Sequence, residues 1–589
     1  MADEVVTPAA SAMEDALAAV EEAVELRRKL VSERRDEFLP ELASALNNQS
    51  AILSKLGRGE DALKAVKEAV EIRRELVAER RDAFLPDLAT ALNNQSLMLS
   101  GLGRREEALA TIEETVETYR GLAATRRDAF LPNLATALSN RSLVLGGLGR
   151  RDDALTAVQE AVEIRRELAA AHPDGFLPGL AMSLHNQSDC LSALGRREDA
   201  LAAIQEAVEI RRKLATDRRD AFLPVLAMSL SNQSLQLTRF GRRDDALAAI
   251  EEAVELRREL VAERGETFRP DLAGSLSNLS GCLSGLGRRA DALAAVEEAV
   301  ELYRRLVSER GNEFLPDLAM ALSNLSGCLI GVERGEDALA AVEEAIEIRR
   351  RFAEARPEAF LPVLAGSLNN QSGYLSDLGR REDALAAVEE AVEIRRRLAG
   401  ARGDEFLPDL AMSLSNQSLV LSGLGRGEDA LAAVEEAVAI YRRLADERAE
   451  QFLPILAVAL NNQSNRLSDL ERREDALAAV EEAVEIGRGL AASGPDAFRA
   501  DLASSLSNQS NRLSELERRD DALEAIEEAL SVLLPLLEDA AEAPPEAALK
   551  LVQAYLGRCK EADRDSNPDL MRSVQAVLTS AGLSPGAQG

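Results

Sequence analysis

The stretch Phe406–Leu444 reads FLPDLAMSLSNQSLVLSGLGRGEDALAAVEEAVAIYRRL, and most of the chain consists of copies of it. Its first residue recurs every 46 residues, without insertion or deletion, at Phe38, Phe84, Phe130, Phe176, Phe222, Phe268, Phe314, Phe360, Phe406, Phe452 and Phe498. A fixed period of about 20–50 residues is typical of solenoids and repeat arrays. We therefore predict one long stack of similar units, because each unit of a solenoid packs mainly against its neighbours.

Each unit contains two helical patterns, which we call the A helix and the B helix. The A helix is predicted to begin at Leu-Pro, because proline suits the first helical turn. It ends at a glycine such as Gly57, where a left-handed residue terminates a helix at little cost. In three units a glutamate replaces this glycine, and we expect these corners, at Glu333, Glu471 and Glu517, to be slightly strained or differently shaped.

The B helix carries acidic residues at its start and arginines at its end, which complements the helix dipole. Glu60 and Asp61 illustrate the first group, and Arg73 and Arg74 the second. The alanine at the position of Ala62 is present in all twelve B helices. A small residue there lets helices approach closely, so the sequence predicts an all-α fold of tightly packed helix pairs.

The repeat also predicts the domain boundaries. Residues 1–10 are expected to be a flexible tail, and residues 11–533 the solenoid, with a leading B helix followed by eleven A–B pairs. Residues 534–583 are interrupted by prolines and lack the repeat markers, which predicts a C-terminal helical cap. Terminal repeats need such a cap with a polar outer face. Residues 584–589 are expected to be a second flexible tail.

Composition limits the classes of partner. The chain has 70 Lys and Arg against 102 Asp and Glu, a net charge of −32. Such a surface repels phosphates, so we expect no nucleic acid and no membrane as partner. No run of about 18 apolar residues exists, and no membrane span is expected. The four cysteines form no disulfide framework, which favours a reducing cytoplasm. The excess of Arg over Lys, with abundant Ala and Gly, is typical of a bacterial genome rich in GC.

The pattern LxNxSxxLxxLGRxEDALxxxEEAV resembles the tetratricopeptide repeat, and the long unit is most similar to the repeats of the kinesin light chain. The resemblance covers roughly residues 14–533 and rests on the small residues at Ser50, Gly57, Ala62 and Ala69. It implies a right-handed superhelical solenoid of antiparallel helix pairs, with the A helices lining a concave groove.

One asparagine is present in every A helix, although Asn costs about half a kcal/mol relative to Ala inside a helix. The resemblance implies that these residues form a ladder that binds an extended peptide, because each amide can both donate to and accept from a peptide backbone. The alternatives are an asparagine that bridges adjacent A helices, or one copied by recent duplication. The ladder comprises Asn48, Asn94, Asn140, Asn186, Asn232, Asn278, Asn324, Asn370, Asn416, Asn462 and Asn508.

Specificity would then come from neighbouring groove positions that vary between repeats. Gly281, Gly327 and Gly373 are expected to open a bay, and Met320 and Met412 to offer adaptable apolar contacts. The alternative is neutral drift. The groove positions carry few Lys or Arg, which disfavours a ligand held by its C-terminal carboxylate.

No nucleophile–base pattern stands out, so we expect no enzyme and no cofactor. His185 and Asp189 are four residues apart, but the only other histidine is His172, and we expect no metal site. We predict a non-catalytic scaffold that binds a protein or peptide, either an extended polypeptide or a partner's tail. The alternatives are a self-associating structural protein, hence a homo-oligomer, or a regulatory or sensor subunit of a separate switch or protease.

Overall fold

The computed structural model describes residues 8–494, 498–539 and 545–580, and this part of the chain is helical without a β-strand. The all-α prediction is confirmed. The helices are α1 (Pro8–Glu33), α2 (Arg35–Lys55), α3 (Gly59–Glu79), α4 (Arg81–Gly101), α5 (Arg105–Thr125), α6 (Arg127–Gly147), α7 (Arg151–Ala171), α8 (Pro173–Ala193), α9 (Arg197–Asp217), α10 (Arg219–Arg239), α11 (Arg243–Arg264), α12 (Arg269–Gly285), α13 (Arg289–Arg310), α14 (Leu315–Gly331), α15 (Gly335–Ala355), α16 (Pro357–Asp377), α17 (Arg381–Arg402), α18 (Leu407–Gly423), α19 (Gly427–Glu447), α20 (Ala449–Asp469), α21 (Arg473–Ser493), α22 (Arg499–Glu515), α23 (Arg519–Asp539), α24 (Pro545–Glu561) and α25 (Pro568–Ser580).

The helices alternate as predicted. Even-numbered helices from α2 to α22 are A helices, odd-numbered helices from α3 to α23 are B helices, and α1 is the leading B helix. Contacts within the chain define two compact units, Met1–Asp317 and Leu318–Gly589, with the boundary inside α14. The first unit holds α1 and the six pairs from α2 to α13. The second holds the five pairs from α14 to α23, followed by α24 and α25. Within each unit, an A helix packs against the B helices before and after it.

Most A helices begin earlier than the sequence predicts. In seven of them the helix starts three residues before the phenylalanine, so the proline lies inside it, at Pro40, Pro86, Pro132, Pro178, Pro224, Pro362 and Pro454. The predicted start is correct where Gly265, Gly311 or Gly403 forms the corner. Their φ angles are 70°, 78° and 67°, and a short 3-10 turn precedes the helix there. Glycine adopts this left-handed backbone without steric cost, so it interrupts the early start.

The C-terminal ends of the A helices follow the prediction. Gly57, Gly103 and Gly425 have φ of 73°, 75° and 73°. The three glutamates that replace this glycine adopt the same backbone, at φ of 62° for Glu333, 60° for Glu471 and 61° for Glu517. A side chain is disfavoured in this region by about 1–2 kcal/mol, so these three corners are strained.

The core of each unit is formed by small and branched side chains. Ala62 and Ala69 are fully buried on α3, beside the equally buried Val66. The alanines at the position of Ala62 are buried in every B helix from α3 to α23. Because these positions carry only a methyl group, a larger side chain there would push the helices apart.

The two ends of the solenoid differ. Helix α1 begins at Pro8, and residues 1–7 of the first predicted tail lie outside the described residues. Helix α23 continues to Asp539, past the predicted boundary at residue 533. Helix α24 takes the place of an A helix, since Nη1 of Arg519 donates to the carbonyl of Glu561 at 3.3 Å as Arg473 does to Glu515 at 3.1 Å. Residues 540–544 and 581–589, which include parts of the predicted cap and the second tail, lie outside the described residues.

One stretch has the length and composition of a membrane span. The region Arg289–Gly331 contains an 18-residue window with a mean hydropathy of 1.3, of which 44% is buried. It is divided between α13, a 3-10 turn and α14. The core helices of packed repeats satisfy the same criterion, and the absence of a membrane span stays a prediction.

Candidate functional site

The A helices turn one stripe of residues towards solvent. In α2 it contains Glu41, Ser44, Asn48 and Ala51, whose spacing of three, four and three residues places them on one face of a helix. We call the surface that these four positions form on the A helices of each unit the A face. It contains the predicted Asn ladder, at the position of Asn48, and the predicted specificity residues, at the positions of Ser44 and Ala51.

Exposed apolar side chains are concentrated on the A face. Of fourteen large apolar residues that are exposed in the described part of the chain, eleven belong to it. The other three are Met13 and Leu26 on α1 and Leu556 on α24, so the B helices from α3 to α23 contribute none among the described residues. The eleven are Leu97, Leu143, Met182, Met228, Leu235, Met320, Val363, Met412, Leu419, Ile455 and Val458.

The exposed sides of the B helices are instead covered by ion pairs. Arg74 of α3 pairs with Glu114 of α5 at 2.7 Å, and Arg442 of α19 pairs with Glu482 of α21 at 2.6 Å. The same spacing of 40 residues recurs along the B helices of both units. Charged surfaces of this kind remain hydrated, whereas a cluster of exposed apolar side chains marks an interaction site.

The predicted specificity residues are exposed on the A face, and their role in binding stays a prediction. Met320 and Met412 are 51% and 44% exposed. A Cβ atom added to Gly281, Gly327 or Gly373 would meet no other atom within 4 Å, so the space above each glycine is open. The sequence-based selection missed the equally exposed Met182 and Met228, which occupy the position of Met320 in earlier repeats and could have been found by aligning them.

Four ladder asparagines bridge neighbouring A helices. In each case Nδ2 bonds to the residue that precedes the ladder position one repeat earlier. Asn94 donates to Asn47 at 3.0 Å, and Asn140 donates to Asn93 at 2.8 Å. The two further bridges join Asn232 to His185 at 3.0 Å and Asn508 to Asn461 at 3.3 Å.

The other seven ladder amides have no side-chain hydrogen bond among the described residues. Four of them are exposed and three half-buried. A serine precedes the ladder position in most of the earlier repeats concerned, and four of these serines bond elsewhere, as Ser139 does to Ser183 at 3.0 Å. The seven are Asn48, Asn186, Asn278, Asn324, Asn370, Asn416 and Asn462. The bridging alternative therefore accounts for four members of the ladder, and the peptide-binding role of the others stays a prediction.

A row of buried arginines lies beneath the A face. Each comes from the last turns of a B helix and is 3–9% exposed: Arg73, Arg165, Arg211, Arg257, Arg349 and Arg395. Among the described residues, none of them forms an ion pair with a carboxylate. Burial lowers the pKa of these guanidinium groups, that of Arg211 to about 10.

Arg165 illustrates their contacts. It donates to the carbonyl of Gly179 at 2.8 Å and to Oγ of Ser183 at 2.6 Å on α8, and to Oγ1 of Thr136 at 3.2 Å on α6. A tyrosine replaces the arginine in three repeats, and Tyr119 shares a hydrogen bond of 2.9 Å with Thr90. These arginine and tyrosine side chains therefore connect consecutive A helices beneath the A face.

The sequence pattern does not separate these arginines from their neighbours. It predicts the same interaction with the helix dipole for Arg73 and Arg74, but only Arg74 is on the surface. The signal that distinguishes them is the exchange of the first arginine for Tyr119, Tyr303 and Tyr441 in other repeats. An aromatic residue is typical of a buried position.

Features of other kinds of site are not evident in the described residues. No group of three or more His, Cys, Asp and Glu side chains is arranged to hold a metal ion there. Nε2 of His185 lies 3.7 Å from Asp189, and the histidine serves as the bridge to Asn232. None of the four cysteines forms a disulfide among the described residues.

Models of known families match several parts of the chain. Two models described as tetratricopeptide repeat match residues 133–213 and residues 42–80, 272–311, 364–405 and 410–448. A model described as anaphase-promoting complex subunit 5 matches residues 76–127, 214–265 and 450–491. No curated protein sequence matches at a significant level.

Solved structures with similar repeats include BtubC (BKLC) from P. vanneervenii, with 23% identity over 42% of this chain and 92% of that one and a TM-score of 0.36. A putative kinesin light chain from Podosopora anserina shows 16% identity over 38% and 97%, with a TM-score of 0.31. The quorum sensor NprR from B. thuringiensis shows 16% identity over 66% and 98%, with a TM-score of 0.40.

Proposed function

Since the chain is a tetratricopeptide repeat protein, and such proteins are in general scaffolds for protein interactions, we propose that it binds an extended polypeptide along its A face. The observation that carries the proposal is the distribution of exposed apolar residues, eleven of fourteen on one face of the A helices. A large exposed apolar surface is costly unless a partner covers it. The repeats place exposed apolar residues at regular intervals, which suits the regularly spaced side chains of an extended polypeptide.

The second unit is the stronger candidate for the binding site. It contains six of the eleven exposed apolar residues, Met320, Val363, Met412, Leu419, Ile455 and Val458. It also contains four consecutive ladder amides without a partner among the described residues, Asn324, Asn370, Asn416 and Asn462. The amides would bind the backbone of the ligand, and the apolar residues would bind its side chains.

The ladder provides its own matched control. Replacing Asn370, Asn416 and Asn462 by Ala removes amides that are free to bind a ligand. Replacing Asn94, Asn140 and Asn508 by Ala removes the same chemical group from positions where it bridges helices. Peptides selected from a random library on the wild-type chain serve as probes, and circular dichroism checks that helicity is retained.

We expect the first triple variant to weaken peptide binding about tenfold or more, equivalent to about 1.4 kcal/mol or more. The second should change it by about twofold or less, with a loss of stability instead. Equal effects of both variants, or none, would count against the ladder. Light scattering tests the alternative of self-association, since assembly through the A face would depend on concentration and be lost when Leu419 is replaced by Asn.

We also propose that the protein is cytoplasmic, on the basis of its cysteines. No disulfide joins the four cysteines among the described residues, and Cys282, Cys328 and Cys559 are buried. Free thiols are typical of a reducing environment, which favours the cytoplasm. A non-catalytic role is part of the same proposal, because the A face offers amides and apolar groups rather than a nucleophile and a base.

A further inference from the structure

The A face carries negative charges and no positive charge. Its four positions in the eleven A helices contain no Lys and no Arg, although the chain as a whole has 70 of these residues. Seven of the same positions contain Asp or Glu. A ligand that lies on the A face therefore meets carboxylates, but no cation, at these positions. The seven acidic residues are Glu41, Asp87, Asp189, Asp271, Asp317, Asp409 and Asp501.

In the second unit, apolar and acidic residues alternate at one of these positions, that of Glu41. Val363 on α16 and Ile455 on α20 are 45% and 41% exposed. Between them along the chain, α18 carries the half-buried Asp409, and α22 follows with the exposed Asp501. A polypeptide that runs along this unit would therefore meet an apolar and then an acidic side chain, twice in succession.

The carboxylates of Asp409 and Asp501 are not neutralised by other residues of the described chain. Nη1 of the buried Arg395 donates to the backbone carbonyl of Asp409 at 2.6 Å, and not to its carboxylate. Ser505 likewise donates to the backbone carbonyl of Asp501 at 3.0 Å. Among the described residues, neither carboxylate forms an ion pair or accepts a hydrogen bond.

The adjacent B helices differ in this respect. Glu482 of α21 lies 2.6 Å from Arg442 of α19, and Asp429 of α19 lies 2.8 Å from Arg426. Ion pairs of these two kinds recur along the B helices of the second unit. The A face of this unit therefore keeps its negative charge, whereas much of the charge on the B helices is balanced.

A ligand that covers the apolar residues of this row must also remove the two carboxylates from water. An unpaired carboxylate opposes this step because its charge loses solvation, and a cation placed opposite it restores a favourable interaction. An acidic ligand would be repelled at the same positions. The row therefore selects the charge of the ligand as well as its apolar character.

The helix dipole does not explain the acidic residues by itself. Asp409 and Asp501 lie in the first turn of their helices, where a carboxylate interacts favourably with the dipole. Asp87 occupies the same position in α4, but this helix begins at Arg81 and Asp87 lies beyond its first turn. The dipole acts on folding and needs no ligand, so a measurement of stability separates its effect from that of binding.

We propose that the polypeptide bound by the second unit is cationic, with Lys or Arg side chains opposite Asp409 and Asp501 and apolar side chains opposite Val363 and Ile455. This inference rests on the proposed function and adds the chemical class of the ligand. Because apolar and acidic residues alternate between successive A helices, the apolar and basic residues of the ligand alternate as well.

The test uses the full chain and three pools of synthetic peptides of about 15 residues, roughly 50 Å long when extended. The pools share Leu, Val, Ser and Gly in random order and differ only in one further residue, which is Lys, Gln or Glu. On the protein, Asp409→Asn combined with Asp501→Asn removes both charges of the row. Glu435→Gln combined with Glu481→Gln is the matched control, because it removes two exposed carboxylates from α19 and α21 and changes the net charge equally. Urea unfolding of both variants measures any loss of stability.

We expect the Lys pool to bind the wild type about tenfold or more tightly than the Glu pool, with the Gln pool between them. The double Asp→Asn variant should reduce the preference for Lys about fivefold or more and bind the Gln pool within about twofold of the wild type. The control variant should keep the preference. Added salt should weaken binding of the Lys pool more in the wild type than in the double Asp→Asn variant.

Leu419→Asn distinguishes a failure of this inference from a failure of the proposed function. If Leu419→Asn weakens binding of the Gln pool while the wild type binds the Lys and Glu pools equally, the A face binds peptides and the inference is wrong. If no pool binds, or if Leu419→Asn weakens none of them, both are wrong. A preference for Lys that the control variant reduces as much as the double Asp→Asn variant would reflect the net charge of −32 and would also overturn the inference.

Discussion

Arg165 of α7 and Ser183 of α8 form a hydrogen bond of 2.6 Å beneath the A face, where the guanidinium group also reaches Thr136 of α6. One side chain therefore connects two successive A helices without any carboxylate partner. A buried charge without an ion pair is costly, and neutral acceptors compensate it only if every donor is well placed. The arginine row should therefore be sensitive to truncation.

We predict that Arg165→Ala destabilises the first unit by about 2 kcal/mol, because it leaves buried acceptors without a donor. Arg165→Tyr should cost clearly less, since Tyr119 occupies the same position and bonds to a threonine 29 residues earlier, as Thr136 is to residue 165. Urea unfolding followed by circular dichroism measures both variants. Arg166→Ala, which removes only an exposed ion pair with Glu206, is the control. A loss in the control as large as in Arg165→Ala would contradict the prediction.

His185, which forms the bridge to Asn232, should make the stability of the first unit depend on pH. Burial lowers the pKa of His185 below its ordinary value of 6.5, and the charge of Arg211 lowers it further, while Asp189 raises it. As the pH falls below 6.5, His185 therefore binds a proton in the unfolded chain before it does so in the folded chain. Stability from this group is therefore complete above pH 6.5 and is lost as the pH falls below it.

His185→Asn should remove this dependence and keep the bridge, because Asn47, Asn93 and Asn461 occupy the same position in other repeats. We expect urea midpoints of the variant and the wild type to agree near pH 7 and to separate towards pH 5, with the wild type less stable at the lower pH. Parallel curves over this range would mean that the proton on His185 does not act on folding.

The sequence predicted the helix pairs because each signal specifies a local structure by itself. The period of 46 residues indicates the repeat, Ala62 the close packing of helices, and Gly57 the end of an A helix. It did not predict the start of α2 at Arg35, because the helix continues backwards through the corner unless a glycine such as Gly265 stops it. It also did not predict which ladder residues bridge. That outcome depends on a contact between repeats, such as Asn94 with Asn47, in which the deciding residue is one position away from the repeated asparagine.

The strained corners allow a stabilising change. Glu471 has φ of 60° at the end of α20, where most repeats have glycine. We predict that Glu471→Gly stabilises the second unit by about 0.5–1 kcal/mol, since the gain from removing left-handed strain exceeds the entropy cost of glycine. Gly425→Ala is the reciprocal test and should destabilise by about 1 kcal/mol. Its Cβ atom would meet no atom within 4 Å, so any loss comes from the backbone. Chemical denaturation of both variants measures the difference, and stabilisation by Gly425→Ala would refute the explanation.

Leu419 is the most exposed of the large apolar residues, with 68% of its surface accessible on α18. Burial in a partner is the only way in which so exposed a side chain can contribute substantially to free energy, at about 25 cal/mol per Å² of apolar surface removed from water. Leu419→Asn should therefore lower stability by no more than the roughly half kcal/mol that Asn costs in a helix. The asparagines at the same position of α20 and α22, Asn465 and Asn511, show that the fold accepts it. Binding of an A-face peptide should fall about tenfold. Ala439→Asn, on the exposed side of α19, is the control: it should leave binding unchanged and lower stability only by about the half kcal/mol that Asn costs relative to Ala in a helix. If Leu419→Asn lowers stability instead of binding, the exposed apolar residues serve the fold, and the A face loses its main support as a binding surface.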